Sequence, residues 1–151
     1  MRLYRLGTAK HPVWAGAGAK MHGARWNPAG MAVIYASATQ SLAMLERLVQ
    51  RQNLEHTLPV IAEVPAELEI EDLMPDPPPN WRALGSPDAA AAGGAWLASK
   101  RTPLLRVPSA IVPSEANYLV NPAHPDAGLI RAGRPELLEW DARFFGIGAP
   151  G

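Results

Sequence analysis

Apolar positions recur along this chain with two different periods. Arg2-Leu3-Tyr4-Arg5-Leu6 alternates polar and apolar over a short span, which predicts a strand at a sheet edge. Ala32-Val33-Ile34-Tyr35-Ala36 is a continuous apolar run of strand length, expected to be buried on both faces. Ser37-Ala38-Thr39-Gln40 then fits an S-x-x-Q capping box and predicts a helix that runs to Arg51. Leu42, Leu45, Leu48 and Val49 form the apolar stripe of that helix, and Glu46 lies on the stripe's edge. Residues 8–30, rich in Gly, Ala and Pro without a sustained period, read as one long loop.

The second half is more broken. Residues 58–64 read as a strand. The acidic positions Glu67, Glu69, Glu71 and Asp72 read as a solvated face, and the run Pro75-Asp76-Pro77-Pro78-Pro79 as a surface connection. Residues 88–101 are alanine-rich and predict a helix started by Pro87, with Trp96 as a core anchor and Gly93-Gly94 as a weak point in its middle. Residues 104–113 read as two strand pieces around Pro108, with Ser109 re-aimed by the bend. A short strand is expected within 114–122 and a last one at 137–141. Several short strands, two main helices and long loops define an α+β chain, read as a single domain over residues 1–151.

Composition narrows the chemistry. Fourteen basic and 14 acidic side chains give a formal net charge of zero with no basic block, which argues against direct nucleic-acid binding. The absence of cysteine removes disulfides, thiolate metal sites and thiol nucleophiles, and suits the cytoplasm. The N-terminus lacks the apolar run of a signal peptide, and no membrane span is expected. His11, His22, His56 and His124 are too scattered for a zinc motif, so no metal is expected. Gly16-Ala17-Gly18 fails the dinucleotide fingerprint because Met21 stands where its third glycine belongs. Ser109 and Ser114 lack the G-x-S-x-G context of a serine hydrolase.

What remains is a set of Arg, Tyr, Glu and Ser side chains. An arginine presents a fork of donors suited to phosphate, a tyrosine a flat face for an aromatic ring, and a carboxylate a partner for a sugar hydroxyl or a developing cation. NAD⁺ combines a pyrophosphate, a ribose and a cationic aromatic leaving group, and is compatible with this set. The residues alone do not single it out. Arg5 reads first as a solvated edge charge, and in a sharper reading as a group aimed inward at a ligand.

Gly23-Ala24-Arg25-Trp26-Asn27-Pro28, Val33-Ile34-Tyr35-Ala36-Ser37 and Leu42-Ala43-Met44-Leu45-Glu46 resemble the RES domain family. So do Leu105-Arg106-Val107-Pro108-Ser109-Ala110-Ile111-Val112-Pro113 and Asn117-Tyr118-Leu119-Val120-Asn121-Pro122, and Arg5 resembles a position near the family's N-terminus. The resemblance is clearest over residues 3–66 and 104–140. The arginine, glutamate and serine of the family's name fall on Arg25, Glu46 and Ser109.

The resemblance implies an ADP-ribosyltransferase-like fold, with short split β-sheets around an NAD⁺ cleft and flanking helices. It implies the toxin of a toxin–antitoxin system, paired with an antitoxin that carries an Xre-type helix-turn-helix domain. Arg25 would hold the phosphates or the nicotinamide ribose, with Arg5 as a second phosphate ligand. Tyr35 would pack on the nicotinamide, Glu46 would hold the ribose and stabilise the oxocarbenium, and Ser109 would orient substrate or Glu46. Three activities remain open: transfer of ADP-ribose to a protein, NAD⁺ glycohydrolysis or phosphorolysis that depletes the cell, and a non-catalytic module that pairs with a DNA-binding partner.

Overall fold

A computed structural model describes residues 1–51 and 54–146. Its strands are β1 (Arg2–Thr8), β2 (Ile34–Ser37), β3 (Thr57–Glu63), β4 (Ile70–Asp72), β5 (Leu104–Pro108), β6 (Ala116–Val120) and β7 (Arg131–Ala132). They form one seven-stranded sheet in the order β4-β5-β6-β2-β1-β3-β7, antiparallel except for β4 with β5. The helices are α1 (Ala17–His22), α2 (Gln40–Leu48) and α3 (Pro87–Ser99), and short 3₁₀ turns complete the α+β architecture expected from the sequence.

β1 lies inside the sheet, where the alternating pattern had suggested an edge. It pairs along its whole length with β3, from Arg2 opposite Glu63 to Thr8 opposite Thr57. Its two arginines differ: Arg2 stays in solvent, paired with Glu63 at 2.7 Å, whereas Arg5 donates to backbone carbonyls. On its other side the pairing is brief, centred on Tyr4 opposite Ser37. The sheet is therefore continuous but nearly divided between β1 and β2.

Strand alternation sorts the core onto two faces. Leu3, Ile34, Ala36, Leu104, Tyr118 and Val120 belong to one buried cluster. Leu105, Val107 and Leu119 belong to the other, together with Trp26, Val33 and the buried face of α3, with Tyr35 packed against them. The α3 helix is capped by Ser86, whose hydroxyl accepts from Ala89 N, and it ends at Lys100 in the left-handed conformation (φ 51°). Trp96 is a buried anchor whose indole donates to Thr102 Oγ1 at 3.0 Å. Gly93 and Gly94 are buried contact points of α3. A Cβ on Gly93 would fall 1.7 Å from the Trp26 carbonyl oxygen.

Other expectations shift for local reasons. The cap of α2 is Thr39, whose Oγ1 accepts from Leu42 N at 3.1 Å, and Ser37 instead ends β2. The α2 stripe is narrower than its spacing implied, since Leu42 and Ala43 are buried while Leu45 and Val49 are 36% and 57% exposed. The region read as one loop holds α1, a single helical stretch without a side-chain cap. The acidic stretch holds β4, where Glu71 and Asp72 pair with Arg101 and Arg106, each at 2.9 Å. After Pro108 the chain turns rather than forming a second strand piece, with Ser109 N donating to Glu115 O. Residues 137–141 are not a strand. The chain before them follows β3 through Gly133 N to Ile61 O and Glu136 N to Pro59 O, and Pro135 interrupts the ladder. Trp140 then turns its indole to Leu54 O.

Candidate active site

Glu46 projects from α2 toward the far end of β6. Its Oε1 accepts from Ser109 Oγ at 2.8 Å and from Asn117 Nδ2 at 2.7 Å. The Ser109 oxygen also accepts from Ile111 N and Val112 N, both at 3.1 Å, so its one proton is committed to the carboxylate. Pro108 is the residue that makes this placement work: it ends β5 and turns Ser109 into the interior, where it is fully buried. Asn117 and Ser37 stand opposite each other in the β2–β6 register, and Ser37 Oγ donates to Asn117 Oδ1 at 2.7 Å.

Two residues back along β2, Tyr35 lies on the same face as Ser37, a separation of roughly 7 Å. Its hydroxyl donates to Asn27 Oδ1 at 2.6 Å and accepts from Trp26 N at 3.1 Å. Burial pushes the Tyr35 phenol well above its ordinary range, while its contact with Trp26 N and the charges of Arg25 and Arg5 pull less strongly the other way. Tyr35 is thus a neutral donor, and its hydroxyl is spent on pinning the loop that carries Arg25.

That loop is fixed from the other side as well. Arg25 Nη1 donates to both Trp81 O and Ala83 O at 2.8 Å, and Trp81 stacks on Trp26 with ring centroids 6.1 Å apart. Among the described residues, Nε and Nη2 of Arg25 make no hydrogen bond. A concavity of about 430 Å³ has Arg25 in its lining, with His22, Gly23, Asn27, Leu84 and Gly85. Asn27 completes the loop, its amide donating to Ala19 O at 2.9 Å.

Arg5 crosses the gap where β1 and β2 part. It donates to Val13 O at 2.5 Å, Tyr35 O at 2.7 Å and Ala15 O at 3.5 Å. Burial, with the neighbouring charge of Arg47, lowers its pKa from the ordinary arginine value, yet a guanidinium keeps its charge in such a setting. Three of its five N–H groups are given to carbonyls, which makes Arg5 a clamp, and two make no hydrogen bond among the described residues.

The structure therefore gathers Glu46 with Ser109, and Arg25 and Arg5 with Tyr35, along the two sides of β2. His56 lies in the 3₁₀ turn before β3 and joins neither group. Spacing alone did not reveal Ser37 or Asn27 as members. The β2–β6 register is what pairs Ser37 with Asn117, and that register depends on contacts 80 residues apart. Among the described residues there is no cluster of three or more His, Asp or Glu that could hold a metal ion, and no helix is long and apolar enough to cross a membrane.

A carboxylate fixed by two donors thus shares a nearly divided α+β sheet with a partly buried tyrosine and two arginines. The RES domain family model matches residues 2–141, and the chain belongs to that family. It is 41% identical over 137 residues to the Prs ADP-ribosylating toxin of Sphingobium sp. (strain YBL2), across 85% of this chain and 84% of the relative. It is 40% identical over 131 residues to Toxin Res of Yersinia enterocolitica serotype O:8 / biotype 1B, across 82% and 86% of the two chains. A chain in the crystal structure of the M. tuberculosis MbcT–MbcA toxin–antitoxin complex superposes with a TM-score of 0.65 at 21% identity, over 89% of this chain and 82% of that one. The fold is shared with that chain.

Proposed function

We propose that this protein is the toxin of a toxin–antitoxin pair, and that it cleaves the nicotinamide–ribose bond of NAD⁺ and transfers ADP-ribose to a protein acceptor. The observation that carries this reading is the Glu46 carboxylate held at 2.8 and 2.7 Å by Ser109 and Asn117, on the sheet face that also presents Tyr35. The relative named as an ADP-ribosylating toxin supports the substrate.

In this reading Arg25 takes the pyrophosphate through Nε and Nη2, and Arg5 adds its two uncommitted N–H groups. The ring of Tyr35 packs on the nicotinamide. As the C1′–N bond breaks, its electron pair leaves with nicotinamide, which becomes neutral. Positive charge grows on the ribose, and the fixed anion of Glu46 opposes it without having to reorganise. A nucleophile of the acceptor then bonds to C1′ and loses its proton. Ser109 orients Glu46 rather than attacking, because both lone pairs and the proton of its hydroxyl are already engaged.

The partner in this reading is an antitoxin with an Xre-type helix-turn-helix domain; the shared fold with a chain of a toxin–antitoxin complex supports an antitoxin partner, and the domain type follows from the family resemblance. A chain of zero net charge leaves contact with DNA to the partner. The place of action is the cytoplasm.

Nicotinamide release from NAD⁺, with Glu46→Ala beside the unaltered chain, tests the proposal in buffer, in phosphate and in cell lysate. Release and transfer of labelled ADP-ribose onto protein, both requiring lysate, are the expected result. Release in buffer or phosphate would reassign the acceptor to water or phosphate. No release in any of the three would leave a non-catalytic binding module.

A further inference from the structure

Two donors meet on a single oxygen of Glu46. Ser109 and Asn117 both give their hydrogen bonds to Oε1, and Oε2 takes none among the described residues. A carboxylate only accepts, so the end of the Asn117 amide that faces it is the NH₂ end. The carbonyl end is then turned toward Ser37, whose buried hydroxyl donates to it at 2.7 Å. Ser37 thereby sets which way the amide points. The two residues can do this because the β2–β6 register places them directly opposite each other.

We propose that Asn117, aimed by Ser37, is a positioning residue for the NAD⁺ reaction. With Ser109 it occupies Oε1, fixes the rotation of the carboxylate, and leaves Oε2 as the oxygen that serves the ribose. The inference rests on the reading of Glu46 as the residue that acts on NAD⁺. A carboxylate tied by one donor could swing about that contact, whereas two donors from different strands fix its plane. Loss of alignment at a reacting centre costs rate more than binding.

The test is a steady-state comparison of Asn117→Ala, Asn117→Asp and Ser37→Ala by nicotinamide release. Asn117→Ala should lower kcat by about 10- to 100-fold while the KM for NAD⁺ stays within about twofold. Asn117→Asp keeps the volume but sets a carboxylate oxygen against Oε1, so it should lose at least as much. A residue that only filled space would give the opposite order, with the isostere milder than alanine. Ser37→Ala touches neither Glu46 nor substrate and should cost less, again in kcat; it also serves if Asn117→Ala does not fold. Unchanged kcat in the Asn117 variants, or a loss confined to KM, overturns the proposal.

A second readout needs no turnover. The side-chain amide signal of Asn117 in a ¹⁵N–¹H spectrum should move on Glu46→Ala and again on Ser37→Ala. If the unaltered chain releases no nicotinamide, the proposed reaction fails. An amide signal that still moves would show the hold on Glu46 to be real, and one that ignores Glu46→Ala would overturn the inference by itself.

Discussion

Gly93 of α3 sits against the carbonyl of Trp26, so close that a Cβ would lie 1.7 Å from its oxygen. The contact joins the helix to the loop that carries Arg25, and nothing larger than hydrogen fits. Gly93→Ala should therefore destabilise the fold by about 3 kcal/mol or more, since overpacking against rigid backbone forces the helix and loop apart. Gly94→Ala meets side-chain atoms alone, Pro28 Cδ at 3.1 Å, Pro28 Cγ at 3.3 Å and Met31 Sδ at 3.8 Å, and it gains helix propensity, so it should cost clearly less, about 1 kcal/mol. Thermal unfolding of the two variants checks this, and equal midpoints would contradict it.

Glu46→Ala should reduce nicotinamide release by at least about 100-fold, as expected for removing a group that acts mainly on the transition state. The fold should survive. Glu46 is half-buried, but Ser109, one of the donors it abandons, is fully buried, so the stability loss should be about 1–3 kcal/mol. Release assays beside circular dichroism distinguish lost chemistry from lost structure.

Arg25→Lys keeps the charge but not the fork. One ammonium cannot hold the carbonyls of Trp81 and Ala83 and still present two parallel donors to a phosphate. The expected outcome is a KM for NAD⁺ raised by about tenfold with a smaller change in kcat. A kinetically silent Arg25→Lys would remove Arg25 from the proposed phosphate site.

Tyr35 carries a pH prediction. Its phenol is held above the ordinary tyrosine value of 10.0 by burial. Above that value the unfolded chain releases this proton while the folded chain keeps it, so folding stability falls as pH rises. The contribution is whole below pH 10 and is lost progressively toward the folded value. Tyr35→Phe should remove that part of the alkaline loss, although it costs about 1–3 kcal/mol at neutral pH by leaving Trp26 N and Asn27 without the hydroxyl. Denaturant midpoints at pH 8 and pH 10.5 for both proteins measure the difference.

The sequence patterns were most informative where one element sufficed. The apolar run through Tyr35 holds β2, Leu42 of the predicted stripe does face a core, and Pro87 does open α3. They failed where a polar residue satisfies itself on backbone or on a distant side chain. Arg5 made an interior strand look like an edge, because three carbonyls replace the water that alternation implies, while Arg2 does stay in solvent beside Glu63. Ser37 fitted a helix cap locally but serves Asn117 across the sheet. Trp140 lay in a strand-like run, yet with Pro135 upstream its segment has no ladder to join. Ser109 was legible as a residue re-aimed after a proline, but its hydrogen bond to Glu46 depends on a tertiary contact across 63 residues.

That same distance has a meaning in time. A ribosome delivers Glu46 early, while Ser109 and Asn117 follow 63 and 71 residues later. At about 5–20 residues per second, the carboxylate waits roughly 4–14 s for its second donor. Through that interval the strand that faces Asn117 has no partner on that side, and the sheet cannot close. Whatever the finished site does to its substrate, a growing chain cannot yet do it, and the cell that makes this protein is given those seconds first.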